Sequence, residues 1–218
     1  MNIIRKASHV LVCGMSGMGK TGYGERYIIG SHHGRVFIFD HQAEFFIRLN
    51  LRPVVKFEHI RRRAETERIV CYDYSYDFPG NLEDAFDLFC DEVFDLNKTY
   101  LEPQKVESLL VCDEIQKVCT PNECPQPLKN ILQTGRRFNV DTLSLSQQPN
   151  RIHNEQRVQV TELVMFHLND ENSLKFTKNC GLDTEPIQRL KPLQYRWHNM
   201  LTGEVRTSTL DFPKLLKK

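Results

Sequence analysis

Near the start of the chain, one stretch of residues could hold a triphosphate. Gly14, Met15, Ser16, Gly17, Met18, Gly19, Lys20 and Thr21 fit the pattern G-x-x-x-x-G-K-[ST] at every fixed position, and Gly22 follows. Glycines here let the backbone wind closely enough for its N–H groups to surround phosphate oxygens. A helix starting at the end of the loop would point its positive end at the same charge. In such a loop Lys20 reaches the β- and γ-phosphates, and Thr21 offers its hydroxyl to Mg²⁺. A second cluster is Asp113-Glu114, which ends the apolar run from Leu109 to Cys112. Asp113 is placed to hold the water shell of Mg²⁺, and Glu114 to polarise an attacking water as general base. The cofactors called for are ATP and Mg²⁺. An Asp-Glu pair at a strand end is by itself an ordinary exit from a core; the loop upstream gives it a chemical reading.

Further residues could complete such a site. Gln147 ends the next apolar segment. If that strand lies between those carrying the loop and Asp113, Gln147 faces the γ-phosphate and senses its loss. The plain alternative is a polar strand end before Pro149, with Gln148 taking the place if the register shifts by one. Arg136 and Arg137 follow Gly135 on what reads as a loop into the same strand. They are either a solvated corner or a source of positive charge for a neighbouring subunit's γ-phosphate. Asp40-His41-Gln42 also ends a strand and either caps the next helix or touches nucleotide. Arg61-Arg62-Arg63 is the densest basic run, a solvated helix face or a contact to nucleic acid.

Short β-branched runs alternate with helical stretches, the pattern of an α/β domain with a mostly parallel sheet. Strands are expected at 9–13, 35–40, 68–72, 108–114, 139–146 and 163–168. A helix is expected from Lys20 to about Ile29 and another from Asn81, a suitable N-cap, to Leu96. Helical segments around 170–179 and 184–190 precede a β-hairpin (194–199 and 204–210) that turns at Thr202-Gly203. The 218 residues contain no repeat or linker and suit a single domain, with its core at about 9–168 and the C-terminal helices and hairpin at about 169–210. The basic tail, Lys214 to Lys218, reads as a disordered end.

Composition is that of a globular protein, 40% hydrophobic and 26% charged, and the net charge of +1 argues against an overall basic coat. No apolar run approaches the roughly 20 residues that span a bilayer, and the N-terminal segment, despite Arg5 and Lys6, is too short in its apolar part for a signal peptide. Seven cysteines, at 13, 71, 90, 112, 119, 124 and 180, show no zinc-ligand spacing; Cys119 and Cys124 are an isolated pair. They read as reduced core thiols.

The loop, the strand ending Asp113-Glu114, Gly-Arg-Arg-Phe-Asn-Val at 135–140 and Ser-Leu-Ser-Gln-Gln-Pro at 144–149 together resemble the FtsK–HerA superfamily of P-loop ATPases. In its small size the chain is most similar to the genome-packaging ATPases of membrane-containing icosahedral viruses, the tectiviruses and their relatives. The resemblance spans about residues 9–168. It implies a RecA-like (ASCE-type) fold with an added C-terminal hairpin, and a homo-oligomeric, hexameric ring that moves double-stranded DNA with ATP. Lys20, Thr21, Asp113, Glu114 and Gln147 fall on the family's Walker A, Walker B and sensor positions, and Arg136 or Arg137 on its trans-acting arginine. The implied partners are DNA, capsid or portal-vertex proteins, and membrane proteins at that vertex. The implied location is the host cytoplasm or the virion vertex. Other readings stay open: a filamentous-phage assembly or conjugation ATPase, a small-molecule kinase, or an assembly protein that binds nucleotide without turnover. A GTP switch is disfavoured, because Asn97-Lys98-Thr99-Tyr100 has Tyr where guanine recognition needs Asp.

Overall fold

A computed structural model of the chain describes residues 7–76, 78–99 and 106–211. The basic tail and the first six residues lie outside these. Eight strands form one sheet: β1 (His9–Cys13), β2 (Arg35–Phe39), β3 (Ile69–Tyr72), β4 (Ser108–Cys112), β5 (Val140–Ser146), β6 (Glu162–Met165), β7 (Gln194–Asn199) and β8 (Val205–Thr209). Their order is β3-β2-β4-β5-β1-β6-β7-β8. The first six in this order run parallel, and the last two add an antiparallel hairpin. A mostly parallel α/β sheet with a C-terminal hairpin is therefore what the chain forms.

The helices are α1 (Lys20–Gly30), α2 (Glu44–Arg48), α3 (His59–Thr66), α4 (Leu82–Thr99), α5 (Gln126–Phe138), α6 (Asn154–Val158), α7 (Glu171–Asn179) and α8 (Glu185–Gln188). They cover both faces, so the parallel strands are apolar on both sides. Along β1, Val10 and Val12 join one core with Ile28 of α1 and Phe45 of α2. Leu11 and Cys13 join the other, with Phe86 and Phe89 of α4 and Ile131 of α5. Even His9, in the same strand, is buried, its ring nitrogens 3.0 Å from the Thr142 hydroxyl and 3.1 Å from the Leu132 carbonyl. Asn81 caps α4 by accepting from the Asp84 N–H at 2.8 Å.

One expectation needs correcting. Gly135, Arg136 and Arg137 are not on a loop but in the last turn of α5, which runs to Phe138 and ends at Asn139 with a φ of 55°. The helix survives its glycine because that residue packs directly on the Val140 carbonyl, where a side chain would collide. Helix and strand can then join within one residue. Gly135→Ala is expected to destabilise the fold by about 1–3 kcal/mol, as overpacking against backbone does. Urea denaturation of the variant beside the native chain checks this, and an unchanged midpoint would refute the close-approach argument.

Candidate nucleotide site

The strand order decides which ends meet. β5 lies between β1 and β4, so the carboxyl ends of these three strands deliver the loop after Cys13, Asp113-Glu114 and Gln147 to one edge of the sheet. Ligands of open α/β sheets bind outside the carboxyl ends of the strands. Here that edge carries a cleft of about 570 Å³, floored by the glycine-rich loop and walled by Asp113 and Gln147.

The loop is shaped by two close contacts. A Cβ on Gly14 would sit 2.5 Å from Cβ of Phe166, so only glycine lets the chain leave β1 beside β6. Gly19 has a φ of 114°, and a Cβ there would press on Leu193 and Leu210 at 3.1 Å. Backbone bonds complete the frame: the Gly14 N–H donates to the Ser146 carbonyl (3.2 Å), and the Met15 N–H to that of His167 (3.0 Å). The distal hairpin reaches in as well. Leu193 donates its N–H to the Met18 carbonyl at 3.0 Å, and its side chain lines the cleft.

Lys20 opens α1 and is 6% exposed. Its ammonium donates to the Met15 carbonyl at 3.1 Å, so the loop holds its own lysine in the curl that a phosphate would occupy. Burial lowers the Lys20 pKa, and the charge of Asp113, followed by weaker influences that include Glu114 and Glu44, opposes this. The Asp113 carboxyl is pushed up to about 7, first by burial and then by the negative charge of Glu44. Its Oδ1 accepts the Glu114 N–H at 2.9 Å, which partly offsets the rise. Thr21 also lines the cleft. The hydroxyl of Thr21 and the carboxylates of Asp113 and Glu44, which line the cleft, are hard oxygen donors, which fits Mg²⁺. Among the described residues no group of three or more His, Cys, Asp or Glu forms a metal cage.

Glu114 is held more firmly than its neighbour. Its φ of 48° is unusual for a residue with a side chain, and it is 6% exposed. One carboxylate oxygen accepts from the Gln147 amide; the other pairs with Lys117 at 2.8 Å. Gln147 lines both the cleft and an adjoining opening beside Ser16 and Asn150, whereas Gln148 lines only the second.

The remaining candidates divide. Asp40 accepts the N–H groups of Glu44 (3.1 Å) and Phe46 (2.8 Å) and so caps α2, while Gln42 lines the cleft. His41 has ring nitrogens without hydrogen-bond partners and lies close enough to Lys117 and Glu114 to feel their charge. Arg136 and Arg137 are exposed and stand at the start of β5, roughly 20 Å from the cleft along a seven-residue strand. They cannot reach their own chain's loop. In the basic run on α3, Arg61 forms a forked pair with Glu92 (2.8 and 3.1 Å) and Arg63 pairs with Glu67, which leaves Arg62 facing solvent.

Sequence reasoning passed over four residues of this edge: Glu44, Arg48, Lys117 and Leu193. Lys117 was legible in principle, since it stands three residues after Glu114 at a spacing that brings side chains together on a helical turn. Glu44 follows a strand end on the chemical edge by four residues. Leu193 carried no local signal, because its place depends on where the distal hairpin docks.

No protein-family model matches the chain, and no curated protein matches it in sequence. Solved structures do match in fold. The genome-packaging NTPase B204 from Sulfolobus turreted icosahedral virus 2, in complex with sulfate, superposes with a TM-score of 0.76 at 14% identity, covering 95% of this chain and 98% of that one. The same protein in complex with ATP-gammaS gives 0.74, also at 14% identity, over 94% and 98%. The Thermomonospora curvata secretion ATPase EccC (ATPases 2 and 3, with a signal sequence peptide) gives 0.63 at 14% identity, covering 95% of this chain and 37% of that one. The chain thus has the P-loop NTPase fold found in a viral packaging NTPase and a secretion ATPase, as its resemblance to the FtsK–HerA superfamily implied.

Proposed function

We propose that the chain is an ATP-hydrolysing motor of the FtsK–HerA type that moves double-stranded DNA, packaging a viral genome as a ring of identical subunits. The observation that carries this reading is the convergence of Lys20, Asp113 and Gln147 on one cleft at the chemical edge of the sheet, with Glu114 bonded to Gln147 behind it. In this reading Thr21 and Asp113 hold Mg²⁺, which supplies charge neutralisation at the phosphates when bound. The loop N–H groups and Lys20 bind and orient the phosphates. Lys20 must leave the Met15 carbonyl for the γ-phosphate, an exchange of a neutral acceptor for a charged one.

Glu114 takes the proton of the attacking water. With Gln147 on one oxygen and Lys117 on the other, both of its oxygens are engaged, so the isolated chain hydrolyses slowly. Turnover then needs Lys117 to swing away and an arginine to arrive. Arg136 and Arg137 project from the opposite edge of the sheet, the geometry expected of groups that serve a neighbouring copy. A ring of such copies places each cleft against the next subunit's arginines, and the pull of hydrolysis is transmitted across that contact. A mover of polypeptide is the second reading, favoured by the overlay on the secretion ATPase solved with a signal sequence peptide.

The direct test is ATP turnover against protein concentration, with long double-stranded DNA, with an unfolded polypeptide, and with neither. A rate per subunit that rises with concentration and again with DNA is expected. Stimulation by polypeptide alone would move the reading to secretion, and a rate flat throughout would sink the ring motor.

Two variant experiments separate the roles. Lys20→Ala should lower turnover at least about a hundredfold by removing charge from the phosphates. Glu114→Gln should match that loss while still binding a fluorescent ATP analogue, and loss of binding would mark Glu114 as a structural residue. Alanine at both Arg136 and Arg137 should cost on the order of a thousandfold. Mixing that protein with Lys20→Ala subunits should restore part of the rate, since each supplies what the other lacks. Absence of rescue at every mixing ratio would return the arginines to a solvated surface.

A further inference from the structure

Two thiols stand outside the nucleotide machinery, and the chain places them on either side of one closed turn. Thr120 and Glu123 form an isolated antiparallel bridge, closed by the Glu123 N–H donating to the Thr120 carbonyl at 3.2 Å. Pro121 and Asn122 make the turn between them. Cys119 and Cys124 flank this closed turn, one on either side. A disulfide spans Cα atoms roughly 4.4–6.8 Å apart, a separation within reach of residues just outside a closed turn. The two thiols are near enough to perturb each other's ionisation, and both sulfurs are free.

We infer that Cys119 and Cys124 are a reversible disulfide site that reacts with small, positively charged disulfides. Their surroundings assign unequal roles. Cys119 is fully buried, whereas Cys124 lines an open cavity of about 490 Å³. The neighbouring Cys119 thiol lowers the pKa of Cys124, with help from the charge of Lys129, against the opposing effect of burial. The Cys124 thiol, followed by burial, raises that of Cys119. The approach of Cys124 to the Pro125 carbonyl, at 3.9 Å, is too long to hold its proton firmly. Cys124, which faces the opening, is thus the attacking thiolate, and Cys119, buried behind it, the resolving thiol.

The cavity selects the reagent. Glu83, Asp84, Asp87 and Glu123 line it against the single cation Lys129. Crowding is felt within it: Asp87 has its pKa raised by burial and then by the charges of Asp91, Asp84 and Glu123. A dicationic disulfide is drawn in, and an anionic one is repelled. The Cys124 thiolate attacks one sulfur, forming a mixed disulfide and releasing one small thiolate, which takes a proton from solvent. Cys119 then gives up its proton and attacks the Cys124 sulfur, releasing the second small thiol. Two protein thiols are oxidised and one small disulfide is reduced to two thiols. The bond would pin the segment between Glu114 and α5, where the Cys119 N–H already donates to Ile115 (2.8 Å) and its carbonyl accepts from His153 (3.2 Å). The inference is independent of what the nucleotide site does.

The test is peptide mapping of the whole native protein after exposure to cystamine, acid quench and alkylation. Trypsin releases residues 118–129 as one peptide that contains these two cysteines and no others. It should be recovered lighter by two hydrogens, and return to the doubly alkylated form after dithiothreitol. Cys119→Ser should trap a stable mixed disulfide on Cys124, and Cys124→Ser should trap none on Cys119. Glutathione disulfide, which is anionic, should react at least about tenfold more slowly than cystamine. Two freely alkylated thiols after cystamine treatment of the native chain would overturn the site. Trapping on Cys119 in the Cys124→Ser protein, or equal rates for the two reagents, would overturn the assignment of roles and the acidic route.

Discussion

An ammonium group cannot leave water unless negative charge or good acceptors meet it, and much of this structure arranges that meeting for Lys20. The lysine opens α1, so the helix must begin where the loop ends. The loop must curl so that Met15 can offer its carbonyl. β4 must end beside β5 and β1 so that Asp113, Glu114 and, from α2, Glu44 supply the compensating field. Asp113 is not comfortable alone, as its raised pKa shows. The cation and the acids make each other's burial tolerable, and together they leave a cleft in which a charged phosphate and a divalent ion would complete the balance.

The two edges of the sheet divide the labour. On the carboxyl edge, groups with strained or crowded geometry converge: Gly19 at a positive φ, Glu114 at another, and Asp113 among like charges. On the amino edge, several polar groups are paired, although Nδ1 of His33 is buried without a partner. Asp141, buried near the start of β5, accepts from His33 and from the Ser8 N–H, both at 2.9 Å, and Arg68 ties down the carbonyls of His33, Ile28 and Ser31. The exposed arginines at the end of α5 are the exception on the quiet edge, and this is part of why a role outside their own subunit suits them.

Much of this was readable from local pattern. The loop from Gly14 to Thr21 announces its geometry, because every fixed position answers to backbone approach or to charge. The apolar runs into Asp113 and Gln147 fixed where β4 and β5 end to within two residues. What could not be read is whatever depends on register between distant elements. Gly135 looked like a helix stop because a glycine before a strand usually is one, yet its missing side chain serves contact with Val140. Leu193 comes to the loop only because β7 pairs with β6, and nothing in its neighbours announces that. Asp40 and Gln42, two residues apart, take opposite roles, and only the path of α2 separates them.

The position of β1 also bears on how the chain comes into being. Its partners are β5 and β6, so that His9 lies opposite Thr142 and Val10 opposite Glu162. Contacts this far apart in sequence form slowly, because the loop that joins them must close before any hydrogen bond rewards it. On the ribosome the first strand emerges and then waits, apolar on both faces, until more than a hundred further residues have followed. Nucleotide cannot help it during that wait, since the cradle does not exist until the sheet closes around it. The emerging chain must stay shielded until its sixth strand arrives, and only then can it gain the ability to bind nucleotide.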